Sequence, residues 1–255
     1  MSGWPADLLL FSVGLAAGFI NVLAGGGSLI TLPAMIFLGL PAPLANGTNR
    51  IGLVVQSLAG TRGFYRAGLL CWREALYYTL YTLPGAVLGA LAGAHFGGPW
   101  FDRLLALLMI CIVVAEYYSS GRRREKVLET SISTESAQRQ ERTLLFFLVL
   151  CGFYGGFIQA GAGIVLAFVF QQTRHIDLVR ANALKVFIIG AYNIFSLITF
   201  ALSDSVAWLP GIMLAVGSGV GAWLAVRLSV KKGQKWAQLM FSLLVAAMAI
   251  ALLLR

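Results

Sequence analysis

The chain has 255 residues, of which 59% are hydrophobic and only 11% are charged. Together with a mean hydropathy of +0.83, this composition excludes an ordinary soluble domain and predicts an all-α protein that crosses a membrane several times. The formal net charge of +9 does not indicate a nucleic-acid partner, because the basic residues cluster in short segments between apolar stretches, as in the cytoplasmic loops of membrane proteins.

Apolar stretches follow one another along the whole chain. Their approximate bounds are 6–40, 44–61, 74–96, 101–119, 143–172, 180–202, 206–226 and 236–254. Tryptophans mark their ends, as expected for rings that prefer the headgroup level of a bilayer; these are Trp4, Trp72, Trp100, Trp208 and Trp236. No Lys or Arg precedes the first stretch, so we expect it to remain as a membrane segment and not to be cleaved as a signal peptide.

Two of the stretches have an unusual length. Segments 6–40 and 143–172 are too long for a single span of ~20 residues and short for two full spans. Each also carries glycines near its middle, in Gly25-Gly26-Gly27 and in Gly161-Ala162-Gly163. The sequence therefore predicts two broken helices, each a helical hairpin, whose unwound backbone is buried or lines a cavity.

The two halves of the chain repeat each other. The tetrapeptide GFIN at 18–21 is echoed by GFIQ at 156–159, and ANGTNR at 45–50 aligns with ANALK at 181–185 with an offset of about 136 residues. The intervening segment 120–142 is long and polar. We therefore predict a first membrane repeat at 1–119, a cytoplasmic and loosely ordered linker at 120–142, and a second membrane repeat at 143–255. Each repeat would contain one glycine-broken hairpin and three transmembrane helices.

The distribution of basic residues predicts the topology. If each hairpin returns to the side from which it entered, 15 of the 19 Lys and Arg residues lie in segments on one side of the membrane and 2 on the other. The positive-inside bias then places the N-terminus and C-terminus outside and the basic loops, including 227–235, in the cytoplasm. This arrangement makes the two halves inverted repeats.

The remaining two basic residues, Arg50 and Lys185, fall inside apolar stretches. Because a charge in a bilayer costs at least ~2.5 kcal/mol, such residues predict a functional site, and an anion is their natural partner. Glycine breaks add free backbone N–H groups at helix N-termini, which also favour an anion. The predicted substrate-binding residues are Asn21, Gly25, Gly26, Gly27, Thr48, Asn49, Arg50, Gln159, Gly161, Gly163, Asn182 and Lys185.

Simpler interpretations of the same residues stay open. Glycine clusters also occur where helices pack closely, and Asn and Thr can join helices by hydrogen bonds. The long side chain of Arg50 or Lys185 could instead extend to the membrane–water interface. The chain has no Asp or Glu near the middle of an apolar stretch and no GxxxxGK[ST] motif. We therefore expect neither a carboxylate proton relay nor ATP hydrolysis, and the sequence indicates no catalytic residue, cofactor or metal.

Two segments resemble a known family. GFINVLAGGGSLITLPAMIFLGLPAPLANGTNR at 18–50 resembles the first-repeat signature of the TauE/SafE sulfite exporter family, and GFIQAGAGIVLAFVFQQTRHIDLVRANALK at 156–185 resembles the second. The resemblance implies a multi-pass permease of the inner membrane that exports sulfite or a small organosulfur anion. Ala183-Leu184 replaces Gly47-Thr48 in the second repeat, so the halves would contribute unequally to the site.

The sequence thus predicts a permease, not an enzyme, that exports a small anion, sulfite or a small organosulfonate by resemblance, driven by membrane potential. Three alternatives stay open: an intramembrane enzyme acting on a lipid phosphate, an importer of another oxyanion, and a structural protein without a transported substrate. The expected partners are a small anion and the lipid bilayer, and self-association as a homo-oligomer is compatible with the sequence.

Overall fold

The computed structural model describes residues 4–95, 134–174 and 176–253, with side chains placed except at 134–139 and 232–253. All the regular structure in these ranges is helical. The helices are α1 (Trp4–Leu23), α2 (Ser28–Phe37), α3 (Ala42–Arg66), α4 (Trp72–His95), α5 (Thr134–Phe157), α6 (Ala162–Arg174), α7 (Leu178–Leu202) and α8 (Trp208–Leu253). The predicted membrane stretch 101–119 and most of the predicted linker lie outside the described residues.

Four of these helices are long and apolar enough to cross a membrane, namely Trp4–Leu23, Trp72–His95, Leu178–Leu202 and Trp208–Lys231. Large apolar side chains cover their outer surfaces, among them Leu8, Leu80, Leu88, Ile198 and Leu202. Such a surface suits lipid and not water. Three of these helices begin at Trp4, Trp72 and Trp208, as the tryptophan positions predict. The prediction of an all-α membrane protein is confirmed.

The two glycine clusters do interrupt the long apolar stretches. Helix α1 ends at Leu23 and α2 begins at Ser28, while α5 ends at Phe157 and α6 begins at Ala162. The backbone of Gly27 packs against that of Ala17, so the chain turns back on α1 after the break. With 10 residues, α2 is about 15 Å long, half the thickness of a bilayer core. The breaks therefore lie at membrane depth.

Two boundaries differ from the sequence-based expectation. Residues 134–142, predicted in the loosely ordered linker, form the first turns of α5. The loop predicted at 227–235 is wrong, because α8 continues without a turn for 46 residues. Lys, Arg and Gln are good helix formers, and one glycine in a helix costs only about 1 kcal/mol. A basic cluster therefore indicates the side of the membrane but not a break in the backbone.

Glycine contacts pair each broken helix with a helix of the other half. In α1, Gly14 and Gly18 lie against the backbone of α8 at Leu214 and Ser218. In α5, Gly152 and Gly156 lie against the backbone of α4 in the same way, at Thr82 and Ala86. Such small-residue contacts let membrane helices approach closely. We call α1, α2, α3 and α8 the first body and α4, α5, α6 and α7 the second body.

The two bodies meet along helices α3 and α7. Gly60 of α3 faces Val186 of α7, while Ser57 faces Gly190 and Gly47 faces Phe200. Residue numbers rise along one helix as they fall along the other, so α3 and α7 run antiparallel. At Gly60 the side chain of Val186, and not the backbone of α7, faces α3. Both predicted cations, Arg50 and Lys185, lie on these two helices.

Candidate substrate site

Arg50 of α3 is completely buried and contacts the end of the broken helix α5. Its Nη1 donates to the Gly155 carbonyl at 2.8 Å and to Asn193 Oδ1 at 3.0 Å. Its Nη2 donates to the Gly156 carbonyl at 2.6 Å and to Asn46 Oδ1 at 3.4 Å. The amide of Asn46 in turn donates to the carbonyl of Phe157, the last residue of α5, at 2.8 Å. Arg50 and Asn46 together cap the C-terminus of α5.

Lys185 of α7 has the corresponding position at the other break. Its Nζ donates to the carbonyls of Asn21 and Val22 at 3.1 and 3.2 Å, and to Asn182 Oδ1 at 2.7 Å. The amide of Asn182 donates to the carbonyl of Leu23, the last residue of α1, at 2.8 Å. In both halves, therefore, an Asn and a cation cap the C-terminus of the broken helix of the other half.

This arrangement leaves an excess of positive charge. The C-terminus of a helix carries about half a negative charge, and a full cation lies on each of the two C-termini. No carboxylate in the described ranges forms an ion pair with either cation, and the ion pairs found there join Glu74 and Glu141 to Arg174 and Arg180. The region between the breaks is thus electropositive and contains no anionic group among the described residues.

The N-termini of α2 and α6 add unpaired donors. The first N–H groups of a helix have no intrahelical partner, and those of Gly26, Ser28, Gly161 and Gly163 make no hydrogen bond within the described part of the chain. The N–H of Gly27 is an exception, since it donates to Asn21 Oδ1 at 3.1 Å. All of these residues are buried.

The two breaks touch each other. Gly25 has φ of +95° and Gly161 has φ of +69°, conformations that residues with a side chain rarely adopt. A Cβ atom on Gly163 would lie 2.7 Å from Cα of Gly25, and a Cβ on Gly25 would collide with the Gly163 backbone. Only glycine permits this approach.

We expect the Gly25→Ala variant to be destabilised by roughly 2–5 kcal/mol, because it adds backbone strain to a steric clash. Gly26→Ala is the matched control: its Cβ would meet only flexible side-chain ends, Ile164 Cδ1 at 3.3 Å and Leu29 Cδ1 at 3.4 Å. Thermal unfolding of both variants in detergent, followed by size-exclusion chromatography, measures the difference. Equal melting temperatures would contradict the close contact of the breaks.

Polar side chains fix each break to its neighbours. Asn49 Oδ1 accepts from the Thr31 hydroxyl at 2.7 Å, and its amide donates to Ser28 Oγ at 3.1 Å. These bonds hold the first turn of α2 against α3. At the second break, Gln159 Oε1 accepts from the Tyr192 hydroxyl at 2.9 Å. Asn49 of α3 and Tyr192 of α7 thus position the two breaks.

The predicted site residues gather around the breaks, with one exception. Thr48 points away from them, because its hydroxyl accepts from the N–H of Ala207 at 2.8 Å and so supports the start of α8. Sequence reasoning missed four polar residues that belong to the cluster, namely Ser28, Thr31, Tyr192 and Asn193. A signal existed for Asn193, since a polar residue in the middle of the apolar α7 stretch needs a partner.

These features define a class of protein. A helical membrane protein in which two broken helices meet at membrane depth, with free N–H groups at their half-helix N-termini, has the architecture of a membrane transporter. The chain matches the family model described as "Sulfite exporter TauE/SafE" over residues 10–252. It therefore belongs to the TauE/SafE family.

Relatives in several bacteria agree with this class. "Probable membrane transporter protein YfcA" of Escherichia coli K12 is 31% identical over 96% of this chain and 88% of its own length. A "Probable membrane transporter protein" of Haemophilus influenzae is 28% identical over 89% of this chain and 88% of its own. "Probable membrane transporter protein YunE" of Bacillus subtilis is 23% identical over 89% and 90%. No solved structure matches the chain.

Proposed function

We propose that this transporter is a permease for a small oxyanion, which binds where the two helix breaks meet. One observation carries the proposal: both negative helix ends are capped by a cation, while both positive helix ends keep unpaired N–H groups. A group placed between them gains from all four ends only if it is an anion. Neutral or cationic substrates would not use these charges.

Within the proposed site, the residues have different tasks. The backbone N–H groups of Gly26, Ser28, Gly161 and Gly163 bind anion oxygens. Gly25 and Gly27 allow the tight turn, and the amides of Asn21, Asn49, Gln159 and Asn182 hold the surrounding backbone. Arg50 and Lys185 supply positive charge. Thr48 is left out of the proposed site because of its bond to Ala207.

The substrate that we propose is sulfite or a small organosulfonate, moving outward. The family description names sulfite export, and sulfite has the charge and oxygen acceptors that the proposed site needs. Transport of another oxyanion is the competing proposal, since backbone N–H groups and cations distinguish poorly between oxyanions of similar size. The names of these relatives specify no substrate.

An enzyme acting on a lipid phosphate is the second alternative. It would need a nucleophile or a general acid and base beside Arg50 and Lys185. The described groups that bond to these cations are backbone carbonyls and the amides of Asn46, Asn182 and Asn193, which cannot fill those roles. The Ser196 hydroxyl near Arg50 has no hydrogen-bond partner among the described residues, and hence no base to activate it as a nucleophile. We therefore propose a transporter without enzymatic activity.

We further propose a multi-pass protein of the inner membrane, in which the two halves are inverted repeats. The excess of Lys and Arg in 62–73, 120–142, 174–180 and 227–235 favours the cytoplasm for these segments. A cysteine at the exposed Asp204 should then react with an impermeant maleimide in intact cells, while one at the exposed Lys231 should not. Reaction of both from outside would contradict this topology.

The driving force that we propose is the membrane potential itself. An inside-negative potential favours export of each negative charge by ~2.3 kcal/mol per 100 mV, about a fiftyfold gradient. Purified protein in vesicles loaded with sulfite tests this: a potassium-diffusion potential that is negative inside should speed efflux, and the opposite potential should slow it. Absence of sulfite flux would refute the substrate. Flux that ignores potential and requires a proton or sodium gradient would refute the driving force.

A further inference from the structure

Arg50 retains one unused hydrogen-bond donor. A guanidinium has five N–H groups, and four of them are accounted for by the carbonyls of Gly155 and Gly156 and by the side chains of Asn193 and Asn46. The fifth, on Nε, is buried and has no partner. Lys185 differs, because its three N–H groups match three acceptors.

A second unpaired polar atom lies close to Arg50. The hydroxyl of Ser196 is buried without a partner, on helix α7. Arg50 bonds to Asn193 and stacks on the ring of Phe200, with Cζ 5.0 Å from the ring centroid. Ser196 lies three residues after Asn193 and four before Phe200, so all three share one face of α7. Ser196 thus occupies the turn between the two contacts of Arg50.

Two unpaired groups at one place require an explanation, because a buried donor without an acceptor is costly and rare. The Nε–H of Arg50 can only donate, and the Ser196 hydroxyl can donate as well. An oxygen with free lone pairs would satisfy both groups. The transported oxyanion supplies such an oxygen.

We propose that Arg50 Nε–H and the Ser196 hydroxyl form a subsite that binds one oxygen of the transported anion. This inference rests on the proposed function. It makes Arg50 the cation that contacts the substrate directly, while Lys185 acts through its charge and through its hydrogen bonds to carbonyls of α1. Ser196 then contributes to the affinity for the anion. Because Ser196 lies on α7, the second body also contacts the substrate.

The test compares two serines that have the same local defect. Ser229 of α8 also has a buried hydroxyl without a partner, but none of the partners described for Arg50 lies on that helix. Removing an unpaired hydroxyl should not destabilise the unliganded protein, so we expect Ser196→Ala and Ser229→Ala to keep or raise the melting temperature. In vesicles, Ser196→Ala should raise the sulfite concentration at half-maximal flux by about tenfold or more, since a hydrogen bond to a charged group is lost. Ser229→Ala should leave it unchanged.

A second comparison probes whether the two donors act on the same oxygen. In an Arg50→Lys background, which has no Nε–H, the effect of Ser196→Ala on half-saturation should shrink, because neighbouring groups are not additive. An undiminished effect would contradict a shared oxygen.

The possible failures are distinguishable. If the unmutated protein carries no sulfite, the proposed function fails for this anion. If it carries sulfite and the two alanine variants have equal half-saturation, the subsite is overturned. If Ser196→Ala lowers the melting temperature and keeps the half-saturation, the subsite is again overturned, because the hydroxyl then holds a structural water and not the substrate.

Discussion

Replacing Arg50 by methionine is expected to stop anion flux and to destabilise the protein, whereas Arg50→Lys should keep most of the stability. Methionine leaves four buried acceptors without a donor, which we expect to cost about 3–5 kcal/mol, as for other broken buried pairs. It also removes one of the two charges from the site, so flux should fall roughly a hundredfold or more. Lysine keeps the charge and can serve three of the four acceptors.

Arg66→Met is the matched control for this prediction. Arg66 ends the same helix, α3, and is exposed, so its removal changes net charge by the same amount without touching the site. Sulfite efflux from vesicles and the melting temperature in detergent should be measured for all three variants. If Arg50→Met transports sulfite at the rate of Arg66→Met, the assignment of Arg50 to the anion site is refuted. If Arg50→Met keeps full stability, its bonds to α5 are not structural.

The positions of the helix breaks could be predicted because they depend on local features. Two apolar stretches are too long for one span of the bilayer. The glycine clusters at Gly25–Gly27 and Gly161–Gly163 show where each of these helices is interrupted. The burial of Arg50 and Lys185 follows from the same apolar stretches. What the sequence could not provide is their partners, since the carbonyls of Gly155 and Gly156 are more than 100 residues from Arg50.

The same limit explains the other differences. The motif that contains Thr48 predicts a polar donor at the break, but the direction of its side chain depends on how α8 approaches. The repeat between the halves suggests two sequential units, yet α1 packs on α8 and α5 on α4. Hydropathy records which residues avoid water and carries no information on which helices become neighbours. Which helix lies against the glycines of α1 and α5 is seen only in the folded structure.

This interleaved packing leads to a mechanism for alternating access. Within each body, glycines bring two helix backbones into direct contact, α1 with α8 and α4 with α5, and such packed elements move as units. Between the bodies, α3 and α7 meet through side-chain ends, and backbones touch only locally, where Gly25 meets Gly163. Arg50 and Lys185 bridge the bodies, and each donates to two backbone carbonyls of the opposite body. We infer that the bodies move against each other along α3 and α7, and that the anion at the breaks becomes accessible from either side in turn.

A disulfide that links the two bodies should therefore stop transport, while one within a body should not. For Gly60→Cys/Val186→Cys, which joins α3 to α7, the Cβ atoms would be 3.9 Å apart, close to the disulfide mean of ~3.8 Å. For Gly63→Cys/Val226→Cys, which joins α3 to α8 within the first body, they would be 3.1 Å apart, so a small shift is needed.

The α3 positions of the two pairs, 60 and 63, are about one turn apart, so the second pair is a matched control. Both pairs are introduced into a protein in which Cys71, Cys111 and Cys151 have been replaced by alanine. Oxidation should abolish sulfite efflux only in the Gly60→Cys/Val186→Cys protein, and a reductant should restore it, because the block is a constraint on motion and not damage to the site. Full flux through both oxidised proteins would show that α3 and α7 do not move apart. Loss of flux in both would show that α3 also moves against α8, and that the first body is not rigid.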